Sequence, residues 1–518
     1  MGRGTIQYRG SLKSCNYSCS YCPFAKRKSS TEELARDRES WFRFCDTVEK
    51  TGDIYGAVMV VPYGEALIHI CYWEGLARLS RLDTVEAVGA QTNLSFPVEK
   101  MLNEYRKAGG RLEKLRLWAT FHPEMVTVED FTAQCKKLSA CGVQISAGAV
   151  GVPDNIEILK QLRKSLPDSI YLWINRMDGL KRRYTPEEEK SMKDIDPLFS
   201  QELHWPKANP SQCRDRIFVE ADGSFHLCNI GEILKQNWYD NPAGPFPDSC
   251  SRARCSCYLA YGGRADFANK AFFGRYPAFR IPWKPKAVFL DLDGTLLPEN
   301  PGEKIRKEWS DYIRQEDSGR KLFLATSLPE KEALTRCPEI VPYLSGGVFA
   351  AGAHVVLYGD SFRDGGKSKN IPPVYEEFHC FDAPWLPLLS ASGREQREQN
   401  FRVRSYLHDG KTYKVTLVKP ARRGWGKEEI AEVAGILPSG GVRIFVERGC
   451  LQIVASKTDK GVGIRRLCSM IGISPSETAA VGNSSEDIPM FQVCGFGVAV
   501  AGSPEWVKEA ADMVAGRL

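Results

Sequence analysis

Short apolar runs alternate with amphipathic segments twice along this chain, and that repeated alternation limits its fold more than any other feature. Between about residues 5 and 200, the runs Ala57–Val61, Leu115–Trp118, Val143–Ile145 and Tyr171–Ile174 are continuous enough for buried strands. The segments between them (96–108, 128–140 and 156–165) carry apolar residues at helical spacing. Strand and helix in turn imply a parallel sheet covered by helices, as an open sheet or as a full or partial barrel. Residues 205–275 lose this rhythm and are rich in cysteine, glycine and proline, and 276–286 reads as a linker. A second α/β pattern starts sharply at Ala287 and runs to the end. The predicted domains are therefore 1–204, 205–275 and 287–518, the last with an insertion at about 355–450.

At 518 residues there is material for two or more cores, and an apolar share of 43% is that of a globular protein. A net charge of +6, without a concentrated basic stripe, argues against nucleic acid as a partner. No apolar run approaches the ~20 residues of a membrane helix, and the first residues lack a signal-peptide pattern, so a cytoplasmic protein is expected. The 17 cysteines are unevenly placed. Cys15, Cys19 and Cys22 form one knot; Cys213, Cys228, Cys250, Cys255 and Cys257 form another; the rest are scattered, as buried thiols usually are. Disulfide frameworks belong to short secreted chains, so thiolate ligands are the better reading of the two knots.

The first knot is spaced C-x3-C-x2-C just after a strand-like segment, Thr5 to Tyr8. Three thiolates with no fourth nearby do not close a zinc site, but they would leave one iron of a cubane cluster open. This segment, with Tyr21 before the third cysteine, resembles the signature of the radical S-adenosylmethionine superfamily. The resemblance implies a partial (β/α) barrel and a 4Fe–4S cluster on Cys15, Cys19 and Cys22. S-adenosyl-L-methionine would be chelated at the open iron, and a flavodoxin or ferredoxin-type donor would supply the electron. One-electron cleavage of the sulfonium would release a 5′-deoxyadenosyl radical that takes hydrogen from substrate. Gly64-Glu65 resembles the family's grip on the methionine amino group. Thr92, Asn93 and Ser146 resemble its contacts to ribose and adenine. The second knot, with a hairpin around Gly223, resembles the Twitch or SPASM extension, which implies an auxiliary 4Fe–4S cluster. Cys213, Cys228, Cys250 and Cys257 would hold it, with Cys255 interchangeable with either of the last two; a structural zinc on the same thiolates is the alternative.

After Ala287–Leu290 stands Asp291-Leu292-Asp293-Gly294-Thr295, which resembles the first motif of the haloacid dehalogenase superfamily. The resemblance implies a Rossmann-like phosphatase in which Asp291 attacks phosphorus and Asp293 protonates the leaving oxygen and then activates water. Two carboxylates facing a phosphate call for Mg²⁺. Thr326 would hold the phosphoryl group, Lys460 would neutralise developing charge, and Gly482-Asn483-Ser484-Ser485-Glu486-Asp487 would be the acidic metal motif. Segments around 349–353 and before Lys460 resemble the branch with a large α/β cap, to which Cof-like sugar phosphatases belong. Asn483 stands where the family carries aspartate and Glu486 where it carries asparagine, so Mg²⁺ is expected on Asp291, Asp293, Asn483 and a shifted Glu486–Asp487 pair. The whole chain then reads as a bifunctional enzyme. It would act by radical chemistry, with net oxidation or rearrangement, on a phosphorylated small molecule such as a sugar phosphate or nucleotide, coupled to phosphate ester hydrolysis. Modification of a peptide or RNA, with an accessory or inactive phosphatase, is the alternative.

Overall fold

The computed structural model describes the chain except residues 1–3, 23, 25–26, 52–54, 208–215, 245–251, 263–268, 299–303, 306–308, 310–312, 314–318, 360–372, 390–400, 421–423, 448 and 516–518. Two compact units result, Met1–Trp283 and Lys284–Leu518.

The first unit is built on eight strands: β1 (Gly4–Arg9), β2 (Tyr55–Val60), β3 (Ala87–Thr92), β4 (Leu115–Phe121), β5 (Gln144–Gly151), β6 (Leu172–Arg176), β7 (Arg216–Glu220) and β8 (Phe225–His226). Their order in the sheet is β6-β5-β4-β3-β2-β1-β7-β8, parallel from β6 through β7. β8 returns antiparallel through a turn at Gly223, whose φ of 88° only glycine adopts without strain. The two edge strands, β6 and β8, do not pair with each other, so the sheet is not closed into a full barrel.

Period-two alternation divides the sheet into two buried faces. Ile6, Tyr8, Val58, Val60, Leu117, Ala119, Leu172 and Ile174 face a core shared with Trp41, Phe44, Leu76, Leu102, Phe131 and Leu159. Those partners lie on the helices Thr31–Thr51, Ile70–Ser80, Val98–Lys107, Val128–Ala140 and Ile156–Ser165. The opposite residues, Ala57, Met59, Val61, Trp118, Trp173 and Phe218, form a second layer with Cys228, Cys255, Tyr258, Tyr261, Phe273, Tyr276 and Phe279. Helices thus cover one face and the cysteine-rich segment covers the other. Residues 276–280, read as part of a linker, belong to that cover. Tyr276 and Phe279 are buried, and burial of large aromatics outweighs the punctuating effect of the neighbouring glycine and proline.

The second unit has β9 (Ala287–Leu290), β10 (Lys321–Ala325), β11 (Leu344–Phe349), β12 (His354–Leu357), β13 (Tyr375–Phe378), β14 (Arg402–His408), β15 (Lys411–Val418), β16 (Val442–Glu447), β17 (Cys450–Ala455), β18 (Thr478–Gly482), β19 (Phe496–Ala499) and β20 (Met513–Val514). The main sheet runs β13-β12-β11-β10-β9-β18-β19-β20, and β14-β15-β17-β16 form a separate antiparallel sheet. The inserted sheet therefore runs from Arg402 to Ala455, later than the 355–450 read from sequence. The reason is that β12 and β13 continue the main sheet as antiparallel strands instead of leaving it.

Candidate functional site

Two sites form, each at the carboxyl ends of parallel strands, where such sheets leave side chains and main-chain groups unpaired for ligands.

In the first unit, the loop carrying Cys15, Cys19 and Cys22 follows β1. Gly64 fixes its approach: a Cβ there would stand 1.8 Å from the Ser14 carbonyl oxygen, and Glu65 N donates to that same oxygen at 3.1 Å. Gly64 thus makes room for the cysteine loop. Gly64→Ala is expected to displace the loop, costing about 1–3 kcal/mol as an overpacked contact. Iron taken up on anaerobic reconstitution would fall, and unchanged uptake would refute the expectation.

Glu65 is buried, and its carboxylate accepts hydrogen bonds from Thr92 Oγ1 (2.8 Å), Asn93 N (2.6 Å) and Leu67 N (3.0 Å). Burial pushes its carboxyl up to about 7, against the pull of these donors. Asn93 Nδ2 then reaches Asn16 Oδ1 (3.1 Å) and Cys15 Sγ (3.6 Å). Glu65, Thr92 and Asn93 are therefore brought together beside the first cysteine. On the other side, Tyr21 Oη lies 2.9 Å from His122 Nδ1, and Glu124 accepts from Ser20 N at 2.7 Å. His122 stands just past the end of β4, and burial lowers its pKa to about 4. Burial raises the Cys15 thiol and pushes Cys19 up to about 11, with Cys22 adding to the latter. Thiols so placed ionise when a metal is there to receive them. Three sulfurs in one loop over strand ends suit a cluster held on one side only.

Ser146 does not join this group. Its hydroxyl donates to the Phe279 carbonyl at 2.6 Å on the face covered by the cysteine-rich segment, so it buttresses the cover. Of the second knot, Cys213 and Cys250 lie outside the described residues. Cys228 and Cys255 are buried in one apolar layer, with Cys257 packed against it. Asn229 Nδ2 donates to Cys257 Sγ at 3.3 Å, and Asn229 Oδ1 accepts from Arg9 Nη2 at 2.8 Å at the end of β1. One asparagine thereby ties the second knot to the strand from which the first one springs.

In the second unit, Asp291 follows β9, Thr326 follows β10 and Asn483 follows β18, which are neighbouring strands. Lys460 is completely buried and donates to Asp291 Oδ1 (2.7 Å) and Asp487 Oδ1 (2.6 Å). Burial and the Asp487 charge raise the Asp291 carboxyl, while Lys460 opposes them. Burial alone would lower the Lys460 ammonium, but Asp291 and Asp487 drive it above its ordinary value. Thr295 Oγ1 donates to Asp291 Oδ2 at 3.1 Å. Thr326 is buried, and its hydroxyl accepts from Leu328 N at 3.2 Å. The Ala351 N–H donates to its carbonyl at 3.1 Å, from a turn in which Ala350 and Ala351 both take left-handed backbone, φ 51° and 55°.

The expected Glu486–Asp487 metal pair is otherwise engaged. Asp487 accepts from Lys460, from the Asn483 and Ser484 N–H groups (2.8 and 2.9 Å) and from Ser484 Oγ. Glu486 is ion-paired with Arg443 of the inserted sheet at 2.9 Å. Asn483, with its amide nitrogen turned inward, donates to Asp291 Oδ2 and to the Asp293 carbonyl, both at 3.1 Å. Those two oxygens, a carboxylate and a main-chain carbonyl, are the hard donors Mg²⁺ takes, and they converge on one point. Asp291 and the Asp293 carbonyl would hold the ion, and Asn483 would join them once its amide turns to present Oδ1; Glu486 and Asp487, as placed, are taken up by Arg443 and Lys460. Asn483→Asp would add a second charged ligand, so Mg²⁺ is expected to bind on the order of 10-fold tighter. A larger Mg²⁺-induced rise in melting temperature than in the parent protein would show it.

Sequence reading missed three charged residues. Arg336 Nη1 lies 2.6 Å from Asp293 Oδ1, Arg443 holds Glu486, and Lys414 of β15 donates to the Ser327 carbonyl while burial lowers its pKa to about 8. Through Arg443 and Lys414 the inserted sheet reaches the segments that follow β18 and β10, beside Asn483 and Thr326.

Residues 411–517 match the family described as haloacid dehalogenase-like hydrolase. A phosphoglycolate phosphatase of Methanosarcina acetivorans is 41% identical over 134 residues, 24% of this chain and 58% of the relative. One of Archaeoglobus fulgidus is 36% identical over 86 residues, 17% of this chain and 39% of its own length. Phosphoglycolate phosphatase 1 of Saccharolobus solfataricus is 25% identical over 230 residues, covering 44% and 88%. The chain thus spans only 39% and 58% of the first two of these relatives. Among solved structures, a haloacid dehalogenase-like hydrolase from Bacteroides thetaiotaomicron matches over 45% of this chain and 94% of its own, at 21% identity and a TM-score of 0.36. The C-terminal part of the chain therefore carries a haloacid dehalogenase-like hydrolase domain.

Proposed function

We propose that the chain is a bifunctional enzyme whose second unit hydrolyses a phosphate monoester and whose first unit performs radical S-adenosylmethionine chemistry on the same phosphorylated small molecule. The observation that carries the hydrolase half is Lys460 buried between Asp291 and Asp487, at 2.7 and 2.6 Å, at the end of the central strand. A nucleophilic carboxylate needs a neighbouring cation to meet an anionic phosphoryl group, and Lys460 and Mg²⁺ would provide it together. Asp291 attacks phosphorus and Thr326 positions the phosphoryl oxygens. Asp293 serves the leaving oxygen and then the water, once Arg336 is drawn off it. Phosphoglycolate heads the substrates to try, given the relatives' names, followed by the sugar phosphates implied by the resemblance to the capped branch. The substitution of Asn483, and the engagement of Glu486 and Asp487, favour one second reading: a slow or accessory phosphatase domain.

For the first unit, the supporting observation is the single loop of three thiols over the ends of β1 to β4, braced by Gly64, Asn93 and Glu124. The order of strands, with every helix core on one face, suits a partial (β/α) barrel. A 4Fe–4S cluster on Cys15, Cys19 and Cys22 supplies, when bound, one-electron cleavage of the S-adenosylmethionine sulfonium. The chain's own residues do the rest: Glu65, Thr92 and Asn93 order the loop's flank, and Tyr21 and His122 close its other side. Cys213, Cys228, Cys250 and Cys257, with Cys255 able to replace either of the last two, would hold an auxiliary cluster, and a flavodoxin or ferredoxin-type protein would donate the electron.

Anaerobic reconstitution with iron and sulfide, then S-adenosylmethionine and dithionite, tests this half. 5′-Deoxyadenosine is expected from the parent protein, and its yield should fall on the order of 100-fold or more in Cys15→Ser, Cys19→Ser and Cys22→Ser. Zinc in place of iron at that loop would end the radical reading. A phosphate-release screen over phosphoglycolate, sugar phosphates and nucleotides tests the other half.

A further inference from the structure

The face of the first unit's sheet that carries Trp118 and Trp173 holds an unusual collection of bare polar atoms. Arg280 is 1% exposed and takes left-handed backbone, φ 54°. Its guanidinium carbon lies 3.6 Å from the ring centroid of Trp118, 3.8 Å from that of Tyr258 and 4.4 Å from that of Trp173. Among the described residues, its Nε and Nη1 have no hydrogen-bond partner. The same is true of Trp118 Nε1, Trp173 Nε1 and both amide atoms of Asn269, which is 0% exposed. These side chains gather around Tyr258. Its ring centroid is 4.4 Å from that of Trp173, its hydroxyl donates to the Pro277 carbonyl, and Asn269 and Arg280 both stand near enough to stabilise its ionised form. Asn269 does so without a well-formed hydrogen bond. Gly148 on β5 keeps the Trp118 N–H uncovered, since a Cβ would stand 2.4 Å from that nitrogen.

The carboxylates that face Arg280 are Asp196 and Glu202. Asp196 accepts from Tyr171 Oη, Ile174 N and Leu198 N, and Glu202 accepts from Tyr261 Oη and Arg176 N. They temper the charge of Arg280 without touching its free edge. Buried polar groups are almost always paired, and here nearly all the bare ones are donors around a fixed cation. A guanidinium edge with indole and amide N–H groups is complementary to a planar or tetrahedral oxyanion.

We infer that Arg280, Trp118, Trp173 and Asn269 form a buried chamber that binds the oxyanion of a small molecule, a phosphoryl or carboxylate group. Binding there stands on the geometry alone; its use as the handle of the substrate rests on the radical reading of the first unit. Trp118 is four residues upstream of His122, which stands just past the end of the same strand, roughly 13 Å away, so a ligand held by its oxyanion would extend toward the cysteine loop.

The test is equilibrium dialysis and calorimetry of the full chain with inorganic phosphate, and separately with acetate, in EDTA. Removing Mg²⁺ disables the metal-dependent site of the second unit. At least one of the two anions is expected to bind once per chain, at least 10-fold more weakly in Arg280→Met and measurably more weakly in Asn269→Leu. Circular dichroism and phosphate release by the second unit should stay as in the parent protein. Phosphate alone would identify a phosphoryl handle, and acetate alone a carboxylate handle. No binding of either anion, or equal binding by the parent and both variants, would overturn the chamber. Binding without any 5′-deoxyadenosine formation would keep the chamber and remove its radical role.

Discussion

Replacing Asp291 by Asn is expected to abolish phosphate release, by on the order of 10⁴-fold or more, while leaving the second unit folded. The size follows from the role: no other described carboxylate is placed to take over. Asp293 is bound to Arg336, Asp487 to Lys460 and two main-chain N–H groups, and Glu486 to Arg443. The amide keeps the shape, its oxygen can still accept from Lys460 while its NH2 faces the Thr295 hydroxyl, which can turn to accept, and removing one of two carboxylates around a single ammonium eases their mutual repulsion. Melting temperature should therefore hold or rise slightly. Residual activity within tenfold of the parent would show that the phosphate is released elsewhere.

Lys460→Met carries the second large effect, and it combines activity with stability. The ammonium is the only described cation in contact with both Asp291 and Asp487, and all three groups are buried. Removing it leaves two carboxylates facing each other in a dry site. Breaking a buried pair in this way costs about 3–5 kcal/mol. For a unit of this size, that lowers the melting temperature by roughly 6–20 °C. The pH dependence has a definite sign. Without Lys460, one carboxyl of the pair retains its proton above its unfolded pKa, so the folded state binds more protons than the unfolded state. Stability of the variant then rises as pH falls through that window. Adding Asp291→Asn should recover part of the loss, because the two changes share one contact. A Lys460→Met protein that melts with the parent, at every pH from 5 to 8, would contradict this account.

What could be read in the sequence was whatever is local. Asp291 and Asp293 follow a four-residue apolar strand and precede Gly294, and three cysteines share one eight-residue loop. Such patterns survive folding unchanged, and the strands at 57–61, 115–118 and 171–174 fall on β2, β4 and β6 with small shifts. The residues that went unread take their meaning from partners far along the chain. Arg336 meets Asp293 across 43 positions, as Arg443 meets Glu486, and Ser146 meets Phe279 across 133. No periodicity encodes such pairs. The segment 276–280 was misread because glycine and proline signal a turn more loudly than Tyr276 and Phe279 signal burial. The density of aromatics from Tyr258 to Trp283 is the clue that would have corrected it. Glu486 and Asp487 looked available to a metal because hydrogen bonds from the main chain leave no mark in a sequence.

The double burial of the first sheet has a consequence for handling the protein. Cys228 and Cys255 share one apolar layer with Met59, Trp118, Trp173 and Phe279. Air oxidation of a thiol to a sulfinate would set a permanent charge inside that layer. The damage would not stay at the sulfur: the cover would loosen along its length, exposing a broad greasy surface on β2, β4, β6 and β7. Protein in which either thiol has been oxidised is therefore expected to clump before it loses its helices.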